Sequence, residues 1–337
     1  MPDEQPKKRR SAKATKKRSE LIEALRHISL VQRDLGNETQ THCTFKDGFL
    51  SACDGILAAG VFVQEDLALN PHTHLLLKAL EHCEETIALT ARDGRLAVRS
   101  GPFRALIKCQ PEGLPAPLPD PVAGEVTDSL RAALSIAGTL ASDTAPKLLH
   151  ASVLLTAGSC FGTNSVVLIE AWHGESVPTV VLPKAFVSAL GKLAKPIKQF
   201  GFSENSFTIY FEDRSWLRTQ LYGDNPWPDV QGFLNVASVP VALPENFFKA
   251  CETVALFAKE DDVYVCADYV SSVATLDVSD QGAVVELPGA NFGAQRHLDG
   301  NALALVKDYA KTADFSSHPK GMLFFGDNVR GVVAYRL

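Results

Sequence analysis

The chain lacks the residue patterns that most enzyme classes need. It has no G-x-x-x-x-G-K-[ST] phosphate loop, no G-x-G-x-x-G turn, no H-E-x-x-H pair and no G-x-S-x-G nucleophile elbow. Ser159 stands between Gly158 and Gly162, at the wrong glycine spacing for such an elbow. The seven cysteines, Cys43, Cys53, Cys83, Cys109, Cys160, Cys251 and Cys266, include no C-x-x-C, which argues against a zinc ribbon or a redox pair. Their odd number is expected of reduced, buried thiols. No run approaches the roughly 18 apolar residues of a membrane helix, and no apolar segment follows the basic start as in a secretory signal. A soluble, cytoplasmic protein is expected, with no membrane partner. The nine histidines form no cluster, and His72 and His74 are expected in a loop entering a helix rather than on a metal. No metal, no cofactor and no catalytic residue are expected.

What is present is a long, core-forming chain. Its 337 residues are 46% hydrophobic and 21% charged, which excludes disorder, collagen and coiled coil, and suits two or three domains. The net charge of −6 hides a strong asymmetry. Residues 1–18 hold eight basic and two acidic side chains, and the rest holds 25 basic and 37 acidic, a balance of −12. An acidic body thus carries a basic arm, and such a block of like charge is expected to be disordered.

Proline-rich sequence at 113–124 and a weaker seam at 235–239 cut the body into 19–112, 125–234 and 240–337. The three parts repeat one another. In the first, Leu76, Ala79, Leu80 and Cys83 form a helical stripe, followed by strand-like runs at 86–91 and 95–108 around Asp93-Gly94. In the second, Phe186, Ala189, Leu190 and Leu193 are followed by 207–211 and 216–221 around Asp213. In the third, Leu303, Val306 and Ala310 are followed by 322–325 and 331–337 around Asp327. The earlier halves are looser, with helical segments at 19–33, 127–141 and 244–259 before strand-like sequence at 41–63, 151–171 and 263–278. Asp47-Gly48 predicts a hairpin turn. The fold class is therefore α+β, with each third a doubled helix-plus-antiparallel-strands unit.

Several segments resemble, in order, those of the bacterial DNA sliding clamp, the beta subunit of the replicative polymerase. They are Asp47-Gly48-Phe49-Leu50-Ser51-Ala52, Gly94-Arg95-Leu96-Ala97-Val98-Arg99-Ser100-Gly101, Val180-Val181-Leu182-Pro183-Lys184, Thr219-Gln220-Leu221-Tyr222-Gly223 and the terminal Tyr335-Arg336-Leu337. The resemblance spans about residues 19–337. It departs at Thr163-Asn164-Ser165-Val166-Val167-Leu168, where the family carries a His-Arg pair, and in the added arm. That divergence would suit a phage or plasmid clamp.

The resemblance implies three clamp domains per chain and a homodimer closing into a ring. It implies duplex DNA held without sequence preference, and a polymerase and a clamp loader bound through short peptide motifs. Helix cations would face the DNA: Arg26, Lys78, Arg131, Lys184, Lys192, Lys195, Lys198, Lys249, Lys307 and Lys311. Among these, Lys195 and Lys198 are expected to share a helical face at i, i+3. The partner-peptide groove would use His150, Thr163, Leu168, Pro228, Phe233, Val333 and Tyr335. The alternative is a non-catalytic structural or assembly protein built of repeated β-rich domains.

Overall fold

The structure, a computed structural model, describes residues 16–32, 38–65, 67–111, 118–223, 227–275 and 281–336. The basic arm up to residue 15 and residues 113–117 of the first linker lie outside the described residues. The described residues are α+β with seven α-helices and antiparallel sheets.

The first third runs β1 (Lys16–Lys17), α1 (Arg18–Ser29), β2 (Thr44–Lys46), β3 (Phe49–Cys53), β4 (Leu57–Phe62), β5 (Asn70–Pro71), α2 (Thr73–Glu81), β6 (Thr86–Arg92), β7 (Arg95–Ser100) and β8 (Phe103–Gln110). The second runs β9 (Val122–Glu125), α3 (Asp128–Gly138), β10 (Ser152–Leu155), β11 (Ser159–Thr163), β12 (Val167–Trp172), β13 (Val180–Pro183), α4 (Lys184–Gly191), β14 (Ile197–Ser203), β15 (Ser206–Phe211) and β16 (Trp216–Gln220). A short helix, α5 (Val230–Leu234), leads into the third. There follow β17 (Val241–Ala242), α6 (Phe247–Ala255), β18 (Asp262–Val265), β19 (Tyr269–Ser271), β20 (Val284–Glu286), β21 (Arg296–Asp299), α7 (Gly300–Ala304), β22 (Thr312–Asp314), β23 (Gly321–Phe325) and β24 (Val329–Ala334). Each third thus repeats helix, strands, helix, strands.

The helices pack in pairs, α1 with α2, α3 with α4 and α6 with α7. Their apolar stripes are the reason: Leu21, Leu25 and Ile28 of α1, Leu130, Leu134 and Ala137 of α3, and Phe247, Cys251 and Val254 of α6 are buried.

The chain forms two compact units, one of residues up to 123 with 198–220, the other of 124–197 with 221–337. The first unit holds a five-stranded sheet, β1-β6-β7-β8-β5, and a seven-stranded sheet, β2-β3-β4-β16-β15-β14-β9. In the latter, β16 of the second third pairs with β4 of the first, Trp216 opposite Gly60. A Cβ on Gly60 would stand 2.4 Å from the Trp216 indole, so only glycine admits the ring there. The second unit holds an eight-stranded sheet, β13-β10-β11-β12-β24-β23-β22-β17, and a four-stranded one, β20-β19-β18-β21. Here β12 of the second third pairs with β24 of the third. A Cβ on Gly331 would stand 2.2 Å from the Leu168 carbonyl oxygen. Each sheet junction between thirds therefore depends on one side-chain-free position.

The Asp47-Gly48 and Asp93-Gly94 turns form with positive φ at both residues, the geometry that matches strand twist. Three local expectations are corrected. The run 95–108 is two strands, because Gly101, at φ 51°, and Pro102 turn the chain back. The helix expected through Lys198 stops at Gly191, since Pro196 lacks an N–H and its ring disfavours helical backbone at Lys195. In the third part α7 ends at Ala304, although Val306 and Ala310 beyond it are still buried.

Candidate functional site

A groove of about 380 Å³ opens on the second unit, beside the β12–β24 junction. It is built in layers. Phe161 of β11, Leu168 of β12, Val332 of β24, Leu323 of β23, Trp227 and Val230 form one buried apolar cluster beneath it. The Trp227 indole N–H donates to Ser152 Oγ at 3.2 Å, so its polar edge is satisfied below the surface. Asp229 caps α5 by accepting from the Gly232 N–H at 2.9 Å, and that helix start sets Val230 and Phe233 along one wall. Pro228 precedes the cap and also lines the groove.

The opposite wall is the β11–β12 hairpin. Asn164 Oδ1 accepts from Val166 N at 3.0 Å and Val167 N at 2.7 Å, and Thr163 Oγ1 donates to the Val167 carbonyl at 2.8 Å. These bonds hold Ser165 at φ 78° and push Val166 outward into the groove. His150 is at the rim, 2.6 Å from Ser165 Oγ. Phe233 is 39% exposed and meets His318 edge to face at 4.7 Å. Burial pushes the His318 imidazole below its usual pKa, which favours the neutral ring against Phe233. The rim carries one charge of each sign, Asp229 and Lys320.

Of the groove residues expected from sequence, Thr163, Leu168, Pro228 and Phe233 line the cavity, and His150 borders it. Val333 and Tyr335 do not. Side chains alternate along β24, so Val332 and Ala334 face the groove, while Val333 is fully buried on the other face. Tyr335 is half-buried; its hydroxyl donates to the Phe315 carbonyl at 2.7 Å and Arg296 lies over its ring. Ser165 and Val166, within the divergent Thr163–Leu168 run, also line the groove, and so do Leu149, Val230 and Lys320, which were not expected from the sequence. A period-two reading of 329–334 anchored on core Val333 would have found Val332 and Ala334.

The helix cations divide into two groups. Arg26 on α1, Lys78 on α2, Lys192 at the end of α4 and Lys249 on α6 are exposed and have no side-chain partner among the described residues. Of the others, Lys184, Arg131, Lys307 and Lys311 are engaged. Lys184 is half-buried and donates to the Gly138 carbonyl at 2.5 Å, and burial lowers its pKa. Arg131 pairs with Asp128 at 3.2 Å and donates to the Lys195 carbonyl, while Lys307 binds Glu252 at 2.8 Å and Lys311 binds Asp327 at 2.6 Å. Lys198 is exposed but belongs to β14, so it shares no helical face with Lys195.

A scan against protein-family models and a search of curated proteins both gave no match. Solved structures do match over the whole chain. The beta clamp of Helicobacter pylori bound to a DNA ligase peptide aligns at TM-score 0.75 and 17% identity, covering 97% of this chain and 100% of that one. The DNA polymerase III subunit beta from Pseudomonas aeruginosa aligns at TM-score 0.77 and 13% identity, covering 97% and 100%. The DNA polymerase sliding clamp from Bacillus subtilis aligns at TM-score 0.77 and 13% identity, covering 96% and 98%. The fold of this chain is that of a bacterial beta sliding clamp protomer.

Proposed function

We propose that the chain is a DNA sliding clamp. Two copies would close into a ring around duplex DNA and tether a polymerase through the groove. The observation that carries this reading is the pairing of a full-length clamp fold with an apolar groove at the β12–β24 junction. The exposed cations on the helix pairs support DNA in the hole: phosphate contacts without base readout let a ring slide. Retention then comes from encirclement, and tethering raises the effective concentration of the polymerase at the primer end. The clamp performs no catalysis in this reading.

Ring closure is supported by the sheets. On its outer side β8 pairs with β5 at Cys109 and Gln110, and its edge from Phe103 to Lys108 is open among the described residues. The four-stranded sheet of the other unit also ends in edges, at β20 and β21. Open edges invite pairing. Apolar side chains are exposed in the other unit as well: Leu256 and Phe257 after α6 are 83% and 53% exposed. A head-to-tail dimer that joins the first third of one chain to the last of its partner buries both. The domains of this reading are 19–112, 125–234 and 240–337.

The groove, at the small end of the range for ligand pockets, suits the side chains of a short apolar peptide. Polymerase and clamp loader would compete for it. The decisive experiment has two parts. Sedimentation at micromolar concentration should give about twice the 36.4 kDa chain mass. Protein loaded on a nicked circle should stay bound, and should be lost when the circle is cut. A stable monomer, or equal retention on circle and linear DNA, would refute the clamp; the latter result is expected of an assembly protein that binds DNA by its surface.

A further inference from the structure

The five-stranded sheet has a face that neither the helices nor the groove uses. Strand register sets Arg95 of β7 opposite Lys108 of β8, Arg99 opposite Arg104, and Arg92 of β6 opposite Arg95. Alternation places all five on one face, while Ile87, Leu96, Val98 and Ile107 turn to the other and are buried on the side where α2 packs. The five cations are exposed. Arg92 reaches Asp93 at 3.5 Å; the other four have no ion pair or side-chain hydrogen bond among the described residues. None of the other strand positions on this face, Thr86, Ala88, Thr90, Ala97, Leu106 and Gln110 among them, carries a carboxylate.

Like charges directly across a ladder destabilise a sheet. A chain whose body is acidic nonetheless concentrates five cations here, in two rows about 13 Å apart along β7. The same sheet receives the chain's N-terminal part at its far edge, where β1 pairs with β6. Four of the five face cations are arginines, whose planar forks match phosphate oxygens. Its strand positions present cations with no carboxylate among them. A phosphate backbone, a dense and regular polyanion, fits it better than a folded protein surface does.

We propose that this face binds the phosphate backbone of duplex DNA, as a contact separate from any helix-lined channel. It does not depend on ring closure. Pairing along the β8 edge consumes backbone groups at the rim of the sheet and leaves the face open.

The test uses the full chain and a short blunt-ended duplex, which a ring alone cannot retain. Binding is followed by fluorescence anisotropy across a salt series, for the parent, R95E/R99E and the milder R95Q/R99Q. Both substitutions lie on β7, away from the β8 edge. The charge reversal should weaken binding at least about tenfold at low salt and flatten the log–log salt slope by about 2, near 0.9 for each phosphate no longer neutralised. The glutamine pair should show a smaller change in the same direction. Unchanged affinity and slope in folded R95Q/R99Q would overturn the proposal. So would a loss of dimer mass with duplex binding intact, because the patch would then serve the partner protomer.

Discussion

Arg330 and Glu170 face each other across the β12–β24 junction, and separating them should be costly. Arg330 Nε donates to Glu170 Oε2 at 2.5 Å, its Nη2 donates to Asn235 Oδ1 at 3.0 Å, and the guanidinium lies over Trp172 at 5.7 Å. The Glu170 side chain is 3% exposed and that of Arg330 21%. Arg330→Met would strand a carboxylate where water scarcely reaches. Breaking a buried pair in this way costs about 3–5 kcal/mol, and the partial opening of Arg330 to water favours the lower end, about 3 kcal/mol. Glu170→Gln removes the charge but keeps an acceptor, so the loss should be about 1.5–3 kcal/mol. The double variant Glu170→Gln with Arg330→Met removes both charges, and should cost less than the two single losses combined. Urea denaturation followed by tryptophan fluorescence, run as a double-mutant cycle, measures all of these. If Arg330→Met costs under about 1 kcal/mol, the value of an exposed pair, the reasoning fails. It also fails if the double variant loses the full sum.

Other outcomes follow from the same geometry. Phe233→Ala should weaken capture of a fluorescent apolar peptide by about tenfold or more, near 1.4 kcal/mol, because aromatic anchors dominate small interfaces; Tyr335→Ala should leave peptide capture unchanged. Burial raises the Asp314 pKa, but bonds from Ser317, Ser316 and the Val239 N–H outweigh it and hold the carboxyl far below the usual range. Its stabilising contribution is therefore complete above about pH 4, the unfolded value, and lost as pH falls further; Asp314→Asn should flatten that acid limb in thermal melts. Charge reversal at Lys78, Lys192 and Lys249 should lower the salt slope for DNA loaded on circles by about 0.9 for each phosphate that a lysine no longer neutralises. Arg131→Glu, by contrast, should chiefly lower the melting temperature, since that guanidinium is already bonded within the protein.

The repeat is legible in the residues alone. Apolar residues at helical spacing, as in Leu76, Ala79 and Leu80, and tight turns such as Asp47-Gly48 and Asp93-Gly94 are local signals, and the elements they predict formed. The sequence also showed that Thr163, Leu168, Pro228 and Phe233 belong together, through resemblance rather than through any spacing that could bring them into one groove. Only the tertiary structure decided which cations remain free. Lys184 and Lys192 look alike in the sequence, yet one ammonium is bonded to a carbonyl of α3 and the other is exposed. It likewise decided the face of β24. Val332 and Val333 differ in the sequence by nothing but position, and the register against β12 turns one to the groove and the other to the core. The junctions that join successive thirds were equally hidden, because Gly60 and Gly331 matter through what packs against them from distant parts of the chain. Periodicity is written in neighbouring residues, whereas pairing, register and the company a charge keeps arise only when remote strands meet.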